Sequence, residues 1–224
     1  KSWEVGADVR LWGNKLILNA TYYSSRTYNQ VFNPDISSTS TYSSLYVNAG
    51  RVDNKGVEVS AELNQNLGPV KWSSNLVYSR NRNKVLSLGN AVQTGLKTDL
   101  RTGMQYEYYG NQSEQFRAYT NILAVGQPMY VFYGYRTDGI VQSLAEGLSA
   151  GLSGDDAQPG EFKYVDIYDG DGLETVDEND MCIIGDPNPD WMASLGIDVS
   201  WRRFDFSIFF NGVFGNDVLN TKRF

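Results

Sequence analysis

The sequence predicts an all-β chain: an antiparallel transmembrane β-barrel segment of about six strands from a larger wall, with long extracellular loops. Three observations predict it. Apolar residues recur at every second position in paired stretches of about ten residues. The turns at Gly13-Asn14, Gly68-Pro69 and Arg202-Arg203 are very short, whereas the connections between hairpins are long. Aromatic residues collect near strand ends, at Trp3, Trp12, Tyr22, Trp72, Tyr78, Trp201 and Phe204. Short turns at one end and long loops at the other are the habit of barrels that cross an outer membrane. Aromatic rings at both ends suit the two membrane–water interfaces. Alternation alone does not choose, because a soluble β-sandwich alternates core and solvent faces in the same way.

The first hairpin is read over residues 3–25. Trp3, Val5, Ala7, Val9 and Leu11 alternate with Glu4, Gly6, Asp8 and Arg10. Leu16, Leu18, Ala20 and Tyr22 then alternate with Ile17, Asn19, Thr21 and Tyr23. Gly13-Asn14 suits the tight turn between them, since both residues tolerate positive φ. A polar loop rich in Ser, Thr, Tyr and Asn is expected over 26–48. The second hairpin puts Val57, Val59, Ala61 and Leu63 on one face and Glu58, Ser60, Glu62 and Asn64 on the other. It returns through Val70, Trp72, Ser74, Leu76 and Tyr78. From 80 to 189 no clean hairpin shows. A structureless loop of that length is uncommon, so this stretch is expected to fold as its own cap of short strands or turns.

The last hairpin, over 190–213, carries the clearest pattern. Ala193, Leu195, Ile197, Val199 and Trp201 alternate with Ser194, Gly196, Asp198 and Ser200. Phe204, Phe206, Ile208 and Phe210 alternate with Asp205, Ser207, Phe209 and Asn211, with Phe209 the exception on the polar face. The resulting division is 1–84 for barrel hairpins with one long polar loop, 85–189 for a loop or cap region, and 190–224 for the final hairpin and the start of a further loop. About six strands cannot close a barrel, for which roughly eight is the practical minimum. Two open edges invite aggregation. The chain also starts at Lys1 inside a strand pattern, without initiator Met or signal peptide. It is therefore read as an arc cut from something larger.

Composition removes several function classes. The 224 residues carry a formal net charge of -7, no His and one Cys. An acidic chain with scattered Lys and Arg does not suit nucleic acid. Without His there is no zincin site, Ser-His-Asp triad or Cys-His dyad. The phosphate-cradling G-x-x-x-x-G-K-[ST] pattern is absent. Cys182 has no internal disulfide partner. Nothing separates a glycosidase-like carboxylate pair from ordinary surface acids, so the chain is read as a non-enzyme with no catalytic residues.

Several phrases resemble one family in its order: K-S-W-E-V-G-A-D-V-R at 1–10, Y-V-N-A-G-R-V-D-N-K-G-V-E-V at 46–59, V-G-Q-P-M-Y-V-F-Y-G-Y-R-T-D-G-I at 125–140, P-G-E-F-K-Y-V-D at 159–166, I-I-G-D-P-N-P-D-W at 183–191 and F-D-F-S-I-F-F-N-G-V-F-G-N at 204–216. They are similar to the SusC/RagA-like TonB-dependent outer-membrane transporters. The resemblance implies a barrel of about 22 strands with an internal plug, of which this chain is a C-terminal slice. It implies import of nutrient oligomers, glycans or peptides, across a bacterial outer membrane. It implies a SusD-like lipoprotein lid as partner and TonB acting through a plug that this sequence does not contain. The competing reading is a soluble, calcium-stabilised extracellular β domain that binds glycan or a protein partner.

Two stretches are candidate sites. D-I-Y-D-G-D-G-L-E-T-V-D-E-N-D at 166–180 spaces oxygen ligands along a Gly-kinked loop, which suits Ca²⁺. Candidate ligands are Asp166, Asp169, Asp171, Asp177 and Asp180. The family's corresponding phrase resembles an EF-hand loop, from which Tyr168 and Leu173-Glu174-Thr175 depart. The same residues also suit an ordinary solvated turn. Tyr130, Phe132, Tyr133, Tyr135, Arg136 and Asp138 form an aromatic and polar cluster that suits sugar or partner contact, or packing within the cap.

Overall fold

The computed structural model describes residues 1–32, 47–89, 96–109, 120–168, 170 and 175–220. In chain order the elements are β1 (Ser2–Leu11), β2 (Leu16–Phe32), β3 (Val47–Leu67), β4 (Val70–Ser87), β5 (Lys97–Thr98), β6 (Gln105–Tyr109), β7 (Asn121–Ala124), β8 (Val131–Gly134), β9 (Thr137–Ile140), α1 (Leu144–Ser149), β10 (Phe162–Tyr164), β11 (Cys182–Gly185), β12 (Trp191–Trp201) and β13 (Phe204–Phe214). They form two compact units. One holds Lys1–Gln30, Gly50–Ser87 and Pro187–Phe224; the other holds Val31–Ala49 and Leu88–Asp186.

The first unit is one six-stranded antiparallel sheet in the order β1-β2-β3-β4-β12-β13. Its register keeps one face mainly apolar and the other mainly polar, with Phe209 and Val77 among the large apolar exceptions on the polar face. Leu76 lies opposite both Ala61 and Leu195, and Leu195 lies opposite Phe210. Val199 lies opposite both Trp72 and Phe206. Val5 faces Tyr22, and Val9 faces Leu18. These rows continue one apolar face, and its side chains stand open: Phe204 is 72% exposed, Val5 65% and Phe206 59%. The opposite face carries Asp8 against Asn19, Glu62 against Asn75, and Asp198 against both Ser73 and Ser207.

All three short turns lie at the same end of this sheet. Gly13 and Asn14 both have positive φ, 64° and 67°, which Gly and Asn adopt at little cost. Aromatic rings mark both ends of the apolar face. Trp201 stacks with Phe204 at 6.2 Å near the turns. At the far end Trp191 stacks with Phe214 at 3.9 Å and meets Tyr78 at 6.0 Å, and Trp3 meets Tyr22 at 5.3 Å. Trp191 and Trp201 bound an 11-residue strand. At roughly 3.3 Å per residue its ends lie about 33 Å apart. Tilted by about 40°, that spans close to the 25 Å apolar band of an outer-membrane barrel.

The hairpins reach past this band. The sequence reading ended the first hairpin at residue 25, but β2 continues to Phe32, while β3 begins at Val47 and β4 runs to Ser87. Cross-strand polar pairs hold these extensions. The Arg26 guanidinium donates to both carboxylate oxygens of Asp53, with Nη2 2.7 Å from Oδ2. Asn83 donates to Asn188 at 2.7 Å, and Arg82 pairs with Asp190. Gly56 has a local packing reason: a Cβ there would lie 2.3 Å from the Tyr23 hydroxyl, so only Gly lets that ring lie across β3.

The second unit contains a five-stranded sheet, β11-β8-β7-β6-β5, and the separate β9–β10 pair. Tyr106, Ile122, Ala124, Val131 and Tyr133 form one core, with Met104, Tyr108, Met181 and Ile183 packed around it. Val141, Leu152 and Ala157 form a second, beside Tyr164 and Val176.

Leu195→Arg places a charge one residue from the midpoint of β12, on the apolar face. It is expected to cost about 2–4 kcal/mol of membrane stability, whereas Ser194→Arg on the opposite face costs much less. Reversible unfolding from lipid vesicles measures both; equal losses refute the assigned facing.

Candidate functional site

The aromatic cluster of the second unit divides by burial. Tyr133 is 4% exposed and its ring lies 4.8 Å from that of Tyr106. Burial pushes the Tyr133 phenol up to about 12, and raises the Tyr106 phenol as well. Tyr133 is therefore a core ring of this unit. Tyr130 is half-buried, adopts a positive φ of 65°, and sets its ring 4.4 Å from that of Tyr109. The Asn121 side chain holds it by donating to the Tyr130 carbonyl at 2.7 Å. Tyr135 meets Tyr164 at 5.4 Å. Phe132 is half-buried beside them in β8, while Arg136 and Asp138 are exposed. The six residues thus supply a core ring, one member of each of two aromatic pairs, the half-buried Phe132 and two exposed charges rather than one surface.

The acidic loop is organised by one carboxylate. Asp180 is 1% exposed. Its Oδ1 accepts from the backbone N–H groups of Ile167 and Tyr168, at 2.8 and 3.0 Å, and its Oδ2 accepts from that of Asp177 at 2.7 Å. Three backbone donors therefore converge on one side chain and tie the start of the loop to its end. Asp177 caps the 3-10 turn Glu178–Asp180, accepting from Asn179 N at 2.7 Å and Asn179 Nδ2 at 3.1 Å. Asp169 and Asp171 lie outside the described residues. Among the described residues, no three acidic or thiol side chains are grouped to share a cation. Cys182 is buried, and burial raises its thiol.

Asp138 and Asp166, assigned to different sites by sequence, line the same cavity of about 440 Å³, with Glu146, Ser149, Lys163 and Tyr164. Lys163 Nζ lies 3.4 Å from Asp138 and 3.3 Å from Glu146. Glu146 also accepts from the Gln142 backbone N–H at 2.9 Å. That hydrogen bond, with Lys163 behind it, holds the Glu146 carboxyl below its ordinary value; Glu146 and then Asp138 raise Lys163. Ser143 caps α1 through Glu146 N at 3.2 Å.

In the first unit the polar face carries a hydrogen-bonded surface that the sequence reading did not single out. Asn19 donates to Ser60 at 3.0 Å, Tyr23 to Asn81 at 3.2 Å, and Ser207 to Asp198 at 2.5 Å. A cavity of about 150 Å³ opens on this face beside Asn19, Thr21, Glu58 and Ser60. The period-two polar rows were the signal that could have found it.

Two outcomes are expected in the second unit's loops. Asp180→Ala strands three backbone donors, at roughly 1–3 kcal/mol for each one left buried and unpaired. Hydrogen exchange at Ile167, Tyr168 and Asp177 should then quicken together; unchanged protection refutes Asp180 as the organiser. Glu146 has a lowered value, so its stabilising contribution is complete above the ordinary glutamate range and is lost as pH falls through that lowered value. The Gln142 amide resonance should titrate with a midpoint below the ordinary glutamate value; a midpoint at or above that value removes the assigned cause.

Comparison with known proteins gives one answer. A family profile described as "TonB dependent receptor-like, beta-barrel" matches residues 1–223. TonB-dependent receptor P3 of Formosa agariphila is 33% identical over 226 residues, covering 98% of this chain and 21% of that protein. TonB-dependent receptor P26 of the same organism is 28% identical, covering 99% of this chain and 21% of its own length. Among solved structures, the RagAB peptide importer in its closed-closed state superposes with a TM-score of 0.67 at 16% identity, over 96% of this chain and 21% of that one. The chain thus spans about a fifth of the length of the relatives it matches. With its six-stranded two-faced sheet and this near-complete match, the chain belongs to the TonB-dependent receptor β-barrel family of the bacterial outer membrane.

Proposed function

We propose that this chain is a wall segment, with its extracellular insert, of a TonB-dependent importer that brings nutrient oligomers across the outer membrane. The observation that carries the reading is the sheet's division into a continuous apolar face bounded by aromatic rings and an opposite face of hydrogen-bonded polar side chains. Hydrocarbon covers the first face and a hydrated lumen meets the second. The same division counts against a soluble domain, whose apolar face would be covered by a second layer. The substrate class is glycan or peptide, and a SusD-like surface lipoprotein captures it. The likeness to the RagAB peptide importer supports the fold of such a system. TonB drives transport through a plug domain belonging to the complete receptor.

On this reading the insert meets substrate or lipoprotein through Tyr130, Phe132, Tyr135, Arg136 and Asp138. Calcium, held by some of Asp166, Asp169, Asp171, Asp177 and Asp180, is the proposed structural ion of the acidic loop. Protease protection of 166–180 at millimolar Ca²⁺, absent in chelator, tests the ion; identical cleavage in both removes it.

Transport is tested in cells carrying the complete receptor. Uptake of labelled oligosaccharides and oligopeptides should fall to background when the receptor gene or TonB is deleted, and a surface lipoprotein should co-purify. Full uptake without TonB sinks the importer reading. Uptake of one oligomer class alone names the substrate.

A further inference from the structure

The first unit's basic side chains are not spread evenly over its two faces. On the apolar face of β4, the outward position after Tyr78 is Arg80, followed by Arg82 and Lys84, and all three are exposed. The register sets Val57 opposite Arg80, Lys55 opposite Arg82 and Asp53 opposite Lys84, on that same face. On β2, Arg26 follows the row of Leu18, Ala20 and Tyr22, and its backbone pairs with that of Lys1, the outward position before Trp3. Asp53 pairs with Arg26, and Asp190 pairs with Arg82. Six cations therefore stand with two carboxylates in a band immediately beyond the Trp3, Tyr22, Tyr78 and Trp191 rings. The opposite face of the same strands is acidic, with Glu4, Asp8, Glu58, Glu62, Asp198 and Asp205 against Arg10 and Lys71.

Depth selects the partner. Two residues advance roughly 7 Å along a strand, or about 5 Å along the bilayer normal at a tilt near 45°. Arg80 then lies at the depth where acyl chains give way to headgroups, Arg82 lies within the headgroup layer, and Lys84 reaches its outer edge. The band points sideways out of the wall, continuous with the lipid face. It lies at the long-loop end, which is extracellular in such barrels. Guanidinium and ammonium groups there meet whatever anions the outer leaflet presents, and planar guanidinium groups match phosphate oxygens in pairs. We infer that Lys55, Arg80, Arg82 and Lys84, with Arg26 and Lys1, form a docking band for the phosphate groups of the outer leaflet's phosphorylated glycolipid. This rests on the membrane-wall reading but on neither transport nor its substrate.

The test uses the complete receptor in nanodiscs of phosphatidylcholine, with or without 10 mol% diphosphorylated lipid A. Insertion into the neutral discs checks the wall itself, and failure to insert overturns both readings. Wild type should retain lipid A through detergent exchange and unfold several degrees higher in the lipid A discs. Lys55→Gln, Arg80→Gln and Lys84→Gln together should cut retention at least fivefold and abolish the thermal gain, while Lys71→Gln on the opposite face changes neither. Should the triple variant fail to assemble, wild type in discs of dephosphorylated lipid A carries the comparison, with the thermal gain expected to vanish. Equal retention by wild type and triple variant, or an equal thermal gain from inorganic phosphate alone, overturns the inference. So does a triple variant that keeps lipid A but loses a co-purifying lipoprotein, which would make the band a protein interface.

Discussion

Hydrocarbon offers the backbone no hydrogen-bond partner, so every peptide group inside the membrane must be paired strand to strand. That constraint fixes most of what the first unit looks like. Its six strands pair without a break from β1 to β13, and the pairing of β12 with β4 closes the sheet across the long insertion between them. Because side chains alternate, one register decides the facing of whole rows at once. Leu76, Leu195 and Phe210 share a face because their peptide groups are paired. The polar row of Ser73, Asp198 and Ser207 follows on the other side without further instruction.

Charge follows the same division. The second unit holds most of the 26 acidic side chains but, of the 19 basic ones, only Lys97, Arg101, Arg117, Arg136 and Lys163. The first unit keeps the remaining cations and sets many of them just beyond the aromatic rings. The chain's net charge of -7 conceals this separation, since it averages an acidic insert with a basic wall. Lys163 sits between Asp138 and Glu146, so one of those few basic groups is neutralised where it stands.

The membrane part of the fold was legible because one face meets oil and the other meets water, which writes period two into the sequence. Past the rings both faces meet polar surroundings and the pattern stops. Hence the continuation of β2 to Phe32 and the early start of β3 escaped notice, although Arg26 and Asp53 were in plain view as charges. The insert's sheet was hidden for the opposite reason. Ile122, Leu123 and Ala124 in β7 are all buried, so no alternation marks a strand. Asp180 was legible as an important carboxylate, but not as the acceptor of three backbone N–H groups. An Asp suited to a metal and an Asp suited to a loop tie look alike until the backbone around them is known.

Tyr23 and Gly56 have a consequence for how such a wall is put together. The ring fits only over a position without a side chain, and the neighbouring positions on that face of β3 are Asn54 and Glu58. A strand that slid by two residues while being added would meet one of those side chains instead of the gap. The ring would then have to leave its place across β3 and give up its hydrogen bond to Asn81, so the pair favours the native alignment over one shifted by two.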